Sequence, residues 1–143
     1  MTMPAARTDV TGATDCITAE LPCVPESVGR AHALVPSVLV GWGLEDDVAD
    51  LGQVIVSELV TNVVNHTETD LMEVVIDQVD STVRFRSSDR SHAAPRMKKA
   101  TNSTESGRIL RLVDALCVRW GYDPHCAGKI TWAEINAPAG RGR

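Results

Sequence analysis

The sequence predicts a single domain of the α/β (α+β) class. Segments of helical period and segments of strand period alternate along one chain, with no break in composition to divide them. A short alternating run opens the domain, and two long stretches with apolar residues three and four apart come next. Two short alternating runs follow, joined by a two-residue polar turn. A further helical stretch and a closing strand complete the order. The domain spans residues 17–136, between a loose N-terminal tail at 1–16 and a C-terminal tail at 137–143.

Each element has a local reason. Residues 17–21 alternate apolar and polar and stop at Pro22, which cannot donate to a sheet ladder. From 25 to about 40, Val28, Ala31, Val35, Val38 and Leu39 recur at helical spacing behind Pro25, a residue suited to the first helical position. Pro36 is expected to kink or shorten this helix. Gly41-Trp42-Gly43 ends it, and a second helix opens on Glu45, Asp46 and Asp47, whose charges complement the helix dipole. Its buried stripe is Val48, Leu51, Ile55, Leu59 and Val63, and it runs to about His66. Residues 72–79 and 83–89 read as a strand pair turning at Asp80-Ser81, with Val83, Phe85 and Ser87 on one face. Residues 90–106 have no period and read as a loop that is either functional or disordered. A third helix follows Gly107 and carries Ile109, Leu112, Val113, Leu116 and Trp120; the closing strand is 129–135.

Composition narrows the function classes. With 43% hydrophobic and 23% charged residues the chain has the balance of a soluble globular domain, and one Phe and one Tyr leave the core to Val, Leu, Ile and Ala. A net charge of −5 argues against nucleic acid as a partner. It also requires any phosphate site to be local, built from amides, a helix N-terminus or a metal. No apolar run is long enough to span a membrane or to act as a signal peptide, so a cytoplasmic location is expected. Cys16, Cys23, Cys117 and Cys126 lack zinc-type spacing and read as thiols of a reducing compartment. Cys117 is expected near the core and Cys126 in a loop.

Three features could carry chemistry. Glu58, Asn62 and His66 are each four apart, so they share one helix face, with Asn65 beside them. A glutamate there can take a proton from a hydroxyl or water. An asparagine carbonyl one turn on is a hard oxygen ligand of the kind Mg²⁺ accepts. The competing reading is a solvated polar face. Asp89, at a strand end, can accept from an adenine amino group or simply start a turn. Gly107 opens a helix whose free amides could meet phosphate.

Taken in order, these segments resemble a family. Ser57-Glu58-Leu59-Val60-Thr61-Asn62-Val63-Val64-Asn65-His66 is similar to the N box of the Bergerat-fold (GHKL, histidine-kinase-type) ATPases. It is especially like that of the RsbW-like anti-sigma-factor serine kinases of actinomycetes. Asp89-Arg90-Ser91 with Pro95 is similar to the adenine-binding segment of that group. Gly107-Arg108-Ile109-Leu110, the run Leu112-Val113-Asp114-Ala115-Leu116 with Arg119-Trp120-Gly121, and Lys129-Ile130-Thr131-Trp132 resemble its later motifs. Ile109 stands where the family has a second glycine, and Ile130 where it usually has threonine. The adenine-proximal turn, Ser91-His92, has no glycine.

The resemblance implies a two-layer sandwich, a mixed β-sheet with helices on one face. It implies ATP and Mg²⁺ as cofactors, Glu58 as general base and Asn62 as the metal ligand. Asn65 and His66 would lie near the phosphates or the lid, and Asp89 would bind adenine. Residues 90–106 would form the lid. Ser91, Gly107, Arg108 and Thr131 complete the expected nucleotide contacts. It implies a protein serine/threonine kinase that phosphorylates a STAS-domain anti-anti-sigma protein, sequesters a sigma factor and forms a homodimer. The alternative is a non-catalytic protein-binding module with a degenerate nucleotide site.

Overall fold

A computed structural model describes residues 7–11, 14–90 and 113–137. Its elements are β1 (Arg7–Thr11), β2 (Thr14–Pro22), α1 (Glu26–Gly41), α2 (Asp46–His66), β3 (Leu71–Val79), β4 (Thr82–Asp89), a helical turn α3 at 113–116, β5 (Arg119–His125) and β6 (Gly128–Asn136). The six strands form one sheet in the order β1-β2-β3-β4-β6-β5, and α1 and α2 pack on one face of it. The α+β class and the two layers are those expected.

The sheet differs from the expected mixed one, because all five pairings among the described strands are antiparallel. β2 and β3 are joined through two helices, an even number of passes, and so return side by side in opposite directions. β4 and β5 run in the same direction, but β6 lies between them and pairs antiparallel to each.

The α1–α2 corner is a Schellman motif. Gly43 has φ of 84°, Gly43 N–H bonds Val40 O at 2.9 Å, and Leu44 N–H bonds Leu39 O at 3.0 Å. The buried side chains of Leu39 and Leu44 supply the apolar contact such caps use. Pro36 neither stops nor shortens α1, which continues to Gly41. Proline there leaves the His32 carbonyl without its helical donor. Gln53 of α2 replaces that donor, with Nε2 3.0 Å from His32 O. The defect is thus repaired by a neighbouring helix, which periodicity along one segment cannot reveal.

Pairing across the sheet overturns three local expectations. The tail at 1–16 contains β1, which pairs with β2 from Arg7↔Thr18 to Thr11↔Thr14. Ala137, assigned to the C-terminal tail, is buried and its N–H bonds Ser81 O at 2.7 Å. Trp120 belongs to β5 and not to the third helix. Cys117 N–H closes the last helical bond on Val113 O, then Val118 N–H bonds Glu134 O at 2.9 Å and draws the chain into the sheet. Of the expected stripe, Val113 is buried and Leu116 is exposed.

The core lies between the helices and the inward face of β3, β4 and β6. Ile55, Val56, Leu59, Val60 and Val63 of α2 are buried against Met72, Val74, Ile76, Val83, Phe85, Ala133 and Ile135. Gly52 marks the closest approach: a Cβ there would stand 2.8 Å from Phe85 Cζ, 3.0 Å from Val35 Cγ1 and 3.2 Å from Leu39 Cδ1.

No helix covers the other face among the described residues. There Trp132 lies over Gly121, with the Arg84 and Arg119 guanidinium carbons each 5.9 Å from its ring centre. Glu134 ties the two arginines together, with Arg84 Nε at 2.9 Å and Arg119 Nη2 at 2.7 Å. Burial alone would raise the Glu134 carboxyl, but hydrogen bonds and charge from Arg119 and Arg84 outweigh it and hold the carboxyl below its usual range. A groove of about 400 Å³ on this face is lined by Asp77, Asp80, Arg84, Arg119 and Glu134; its two arginines are already engaged by Glu134. No described helix is long and apolar enough to cross a membrane.

Three expectations follow for stability. Gly52→Ala should lower it by about 1–3 kcal/mol in thermal or urea unfolding, because overpacking outweighs the helical gain from alanine. Gly29→Ala in α1, where a Cβ meets nothing within 4 Å, should instead raise it by about 0.5–1 kcal/mol. For Glu134, a folded-state pKa below the unfolded value gives stability that is present above the unfolded pKa and lost as pH falls through the folded one. Urea titrations from pH 6 downward should therefore show Glu134→Gln losing less stability than the parent below about pH 4.5, the ordinary value for the group.

Candidate functional site

α2 runs along β4, from Gly52 over Phe85 to Thr67 beside the strand's far end. That end is tied down by hydroxyls. Thr67 Oγ1 donates to Val63 O at 2.8 Å and lies 2.7 Å from Thr69 Oγ1, which accepts from Arg90 N–H at 2.9 Å. The inward face of the sheet changes character along the same direction. Val83 and Phe85 of β4 face inward with Ile135 and Ala133 of β6; two residues further, the inward pairs are Ser87 with Thr131 and Asp89 with Lys129.

Asp89 and Lys129 are both buried, with side-chain exposures of 0% and 2%. Lys129 Nζ lies 3.1 Å from Asp89 Oδ1 and 3.0 Å from Oδ2, so it sits astride the carboxylate. The strands approach closely here: at Gly128 a Cβ would collide with Asp89 O and stand 2.6 Å from Arg90 Cα, so only glycine fits. Cys23 lines the same corner. Its thiol is pushed up by burial first, then by the charges of Asp89 and Asp70, against a lowering hydrogen bond with Thr67.

The predicted helix face is partly inward. Asn62 is only 3% exposed, and its Oδ1 has no hydrogen-bond partner among the described residues. Glu58, one turn earlier, is half-buried with its Oε1 enclosed. A solvated polar face would expose both, so that reading does not describe Asn62. Asn65 is exposed. His66 is the last residue of α2, and its side chain lies outside the described residues, as do Ser91, Gly107, Arg108, Ile109 and the loop from 91 to 106.

Thr131 and Ser87 oppose one another on the inward face, both buried, and neither Oγ has a partner among the described residues. Ile130 opposes Ser88 and points to the open face beside Glu73, Val75 and Arg86. Position 130 is thus off the face that holds Asp89, and Lys129 is the residue that supports this carboxylate.

A lone buried carbonyl oxygen suits a hard cation that keeps most of its own waters, so Asn62 fits Mg²⁺. Among the described residues no cluster of three His, Cys, Asp or Glu could hold a metal alone. Among the cysteines, none of which forms a disulfide, Cys117 has its thiol pushed up to about 12 by burial and by Asp114. Cys126 is exposed in the β5–β6 turn.

Sequence reasoning passed over Lys129 and Ser87. The signal for Lys129 was present: alternation along 129–135 puts it in the same inward set as Ala133 and Ile135. A lysine on a buried face needs an anion, and Asp89 ends the paired strand.

The pair makes Asp89 structural as well as a candidate contact. Asp89→Ala strands a buried ammonium and should cost about 3–5 kcal/mol in equilibrium unfolding. Adding Lys129→Met to that variant should recover much of the loss, because replacing both charges leaves nothing uncompensated.

No curated protein matches the chain in a sequence comparison. The chain does match the histidine kinase-like ATPase domain family over residues 21–135, a span from the end of β2 to the end of β6 that includes every candidate site residue. An antiparallel sheet with its helices on one face, a polar inner end and a half-buried Glu58 next to a buried Asn62 on α2 accord with that match, and the chain belongs to the histidine kinase-like ATPase domain family.

Proposed function

We propose that this chain binds ATP with Mg²⁺ and acts as a regulatory serine/threonine kinase of the anti-sigma-factor type. It would phosphorylate a STAS-domain anti-anti-sigma protein and hold a sigma factor while that antagonist is phosphorylated. The observation that carries the reading is the buried Oδ1 of Asn62, which has no partner among the described residues and lies one helical turn from Glu58. An orphaned buried carbonyl costs about 1–3 kcal/mol, a cost that a ligand at this point would offset.

Placement supports a set of proposed roles. Asp89, at the polar end of the inward face, accepts from the adenine amino group, and Thr131 lies two residues further in. Asn62 would hold Mg²⁺, which when bound neutralises charge on the phosphates. Glu58 accepts the proton of the attacking hydroxyl; in phosphoryl transfer the protein's task is mainly positioning and charge stabilisation. Asn65 and His66, at the end of α2, would contact the phosphates or a lid. Ser91, Gly107 and Arg108 complete the proposal from sequence. The protein would work in the cytoplasm as a homodimer, without nucleic acid or membrane. The alternative of a non-catalytic binding module rests on Ile109, a β-branched residue where the family has a glycine.

Calorimetry with Mg²⁺-ATP separates the two. Parent protein should bind in the micromolar range, and Asn62→Ala should weaken binding by about tenfold, the loss of a contact to a charged group. Glu58→Gln should keep ATP binding while phosphotransfer to a STAS-domain substrate falls by about 10²–10⁴-fold. Absence of binding heat from folded protein at millimolar ATP would leave only the binding module.

A further inference from the structure

We infer that Lys129 is a base-reading residue: its ammonium donates directly to the adenine ring nitrogen N1 while Asp89 accepts from the adjacent exocyclic amine. The inference rests on the nucleotide reading above and adds to it a specificity determinant from this chain's own closing strand.

The geometry points to paired readout. Lys129 Nζ is held 3.0–3.1 Å from both Asp89 oxygens, which places a donor and an acceptor next to each other at the polar end of the inward face. An ammonium has three N–H groups. Among the described residues Lys129 donates only to the Asp89 carboxylate, so it keeps capacity for one more acceptor. The Watson–Crick edge of adenine presents an amino donor beside a ring acceptor. An acceptor beside a donor in the protein is the complementary arrangement, in the manner of proteins that read an unpaired base by this edge. A 6-oxo purine in the same orientation would turn O6 toward the carboxylate and N1–H toward the ammonium, so both contacts become repulsive.

A second observation points to a ligand here. Ser87 and Thr131 lie on the same face, two residues from Asp89 and Lys129 along their strands. Both are buried, and neither hydroxyl has a partner among the described residues. A pair present only to bind two strands together would not need a polar floor beside it. Such a floor is expected where a polar base or its waters sit.

The probe is 1-deaza-ATP, in which N1 is replaced by C–H and the 6-amino group is kept. Calorimetry on the full chain should show ATP binding about 10–100-fold more tightly than 1-deaza-ATP, the worth of a hydrogen bond to a charged group. Lys129→Met should bind the two nucleotides within about threefold of each other, since the donor that tells them apart is gone. Lys129→Gln, which retains a neutral donor toward Asp89, should give an intermediate ratio and carries the variant arm if Lys129→Met does not fold. Parent protein that binds ATP and its 1-deaza analogue equally overturns the inference. So does a folded variant lacking the ammonium that discriminates as the parent does, because another group then reads N1. If neither nucleotide binds the parent, the nucleotide reading itself has failed. That outcome is distinct from equal binding of both.

Discussion

The contact between α2 and the central strand β4 at Gly52 is the constraint on which the other parts of the structure depend. With no side chain at that position, the helix comes down onto Phe85 and wedges against Val35 and Leu39 of α1, so three elements meet at one point. That depth places Ile55, Leu59 and Val63 in the core. It also sets what happens further along. Asn62 lies ten residues beyond Gly52, a rise of about 15 Å, and β4 covers about 13 Å between Phe85 and Asp89. The asparagine is thus carried to the polar end of the sheet while still held at core depth.

That polar end is where the domain departs from a structure built for stability alone. The inward face begins as Val83, Phe85, Ala133 and Ile135 and continues as Ser87, Thr131, Asp89 and Lys129. Apolar residues in the same register would have closed the layer without orphaned hydroxyls and without a buried ion pair. Such pairs add little net stability once their desolvation is counted. Buried oxygens on Asn62, Ser87 and Thr131, which have no partner among the described residues, are each costly. They gather at one end of the sheet, beside α2.

The opposite face solves a different problem. A sheet covered on one side must keep its other side from collapsing onto a neighbour. Here long charged side chains do this: Arg84 and Arg119 lie against Trp132 and are cross-linked by Glu134, while Arg86 pairs with Asp77 at 3.2 Å. Their guanidinium groups lie over the ring while both side chains remain open to water. At the β5 edge, Pro124 withholds a donor and discourages further strand pairing.

Much of this was legible in the sequence. The spans of α2, β3, β4 and β6 follow from the periodicity of their apolar residues, and the turn at Asp80-Ser81 from its residue types. Glu58, Asn62 and Asp89 stood out as polar residues at the ends or on the faces of apolar elements. β5 was hidden because Gly121 and Pro124 suppress any strand signal and a helical stripe runs on into Trp120. β1 was hidden because its residues are polar and short of a period. Neither strand forms by local preference; each exists because a neighbour offers an unpaired edge. The same holds for Pro36, tolerated because Gln53 reaches across from α2, and for the pairing of Lys129, whose inward face is legible from alternation but which register sets against Asp89. Sequence by itself determined where helices and strands can form and which residue types could do chemistry, since propensity and period act within one segment. Tertiary structure alone decided which edges pair, which polar atoms end up buried and which charge answers which, because those depend on distances between segments remote in the chain.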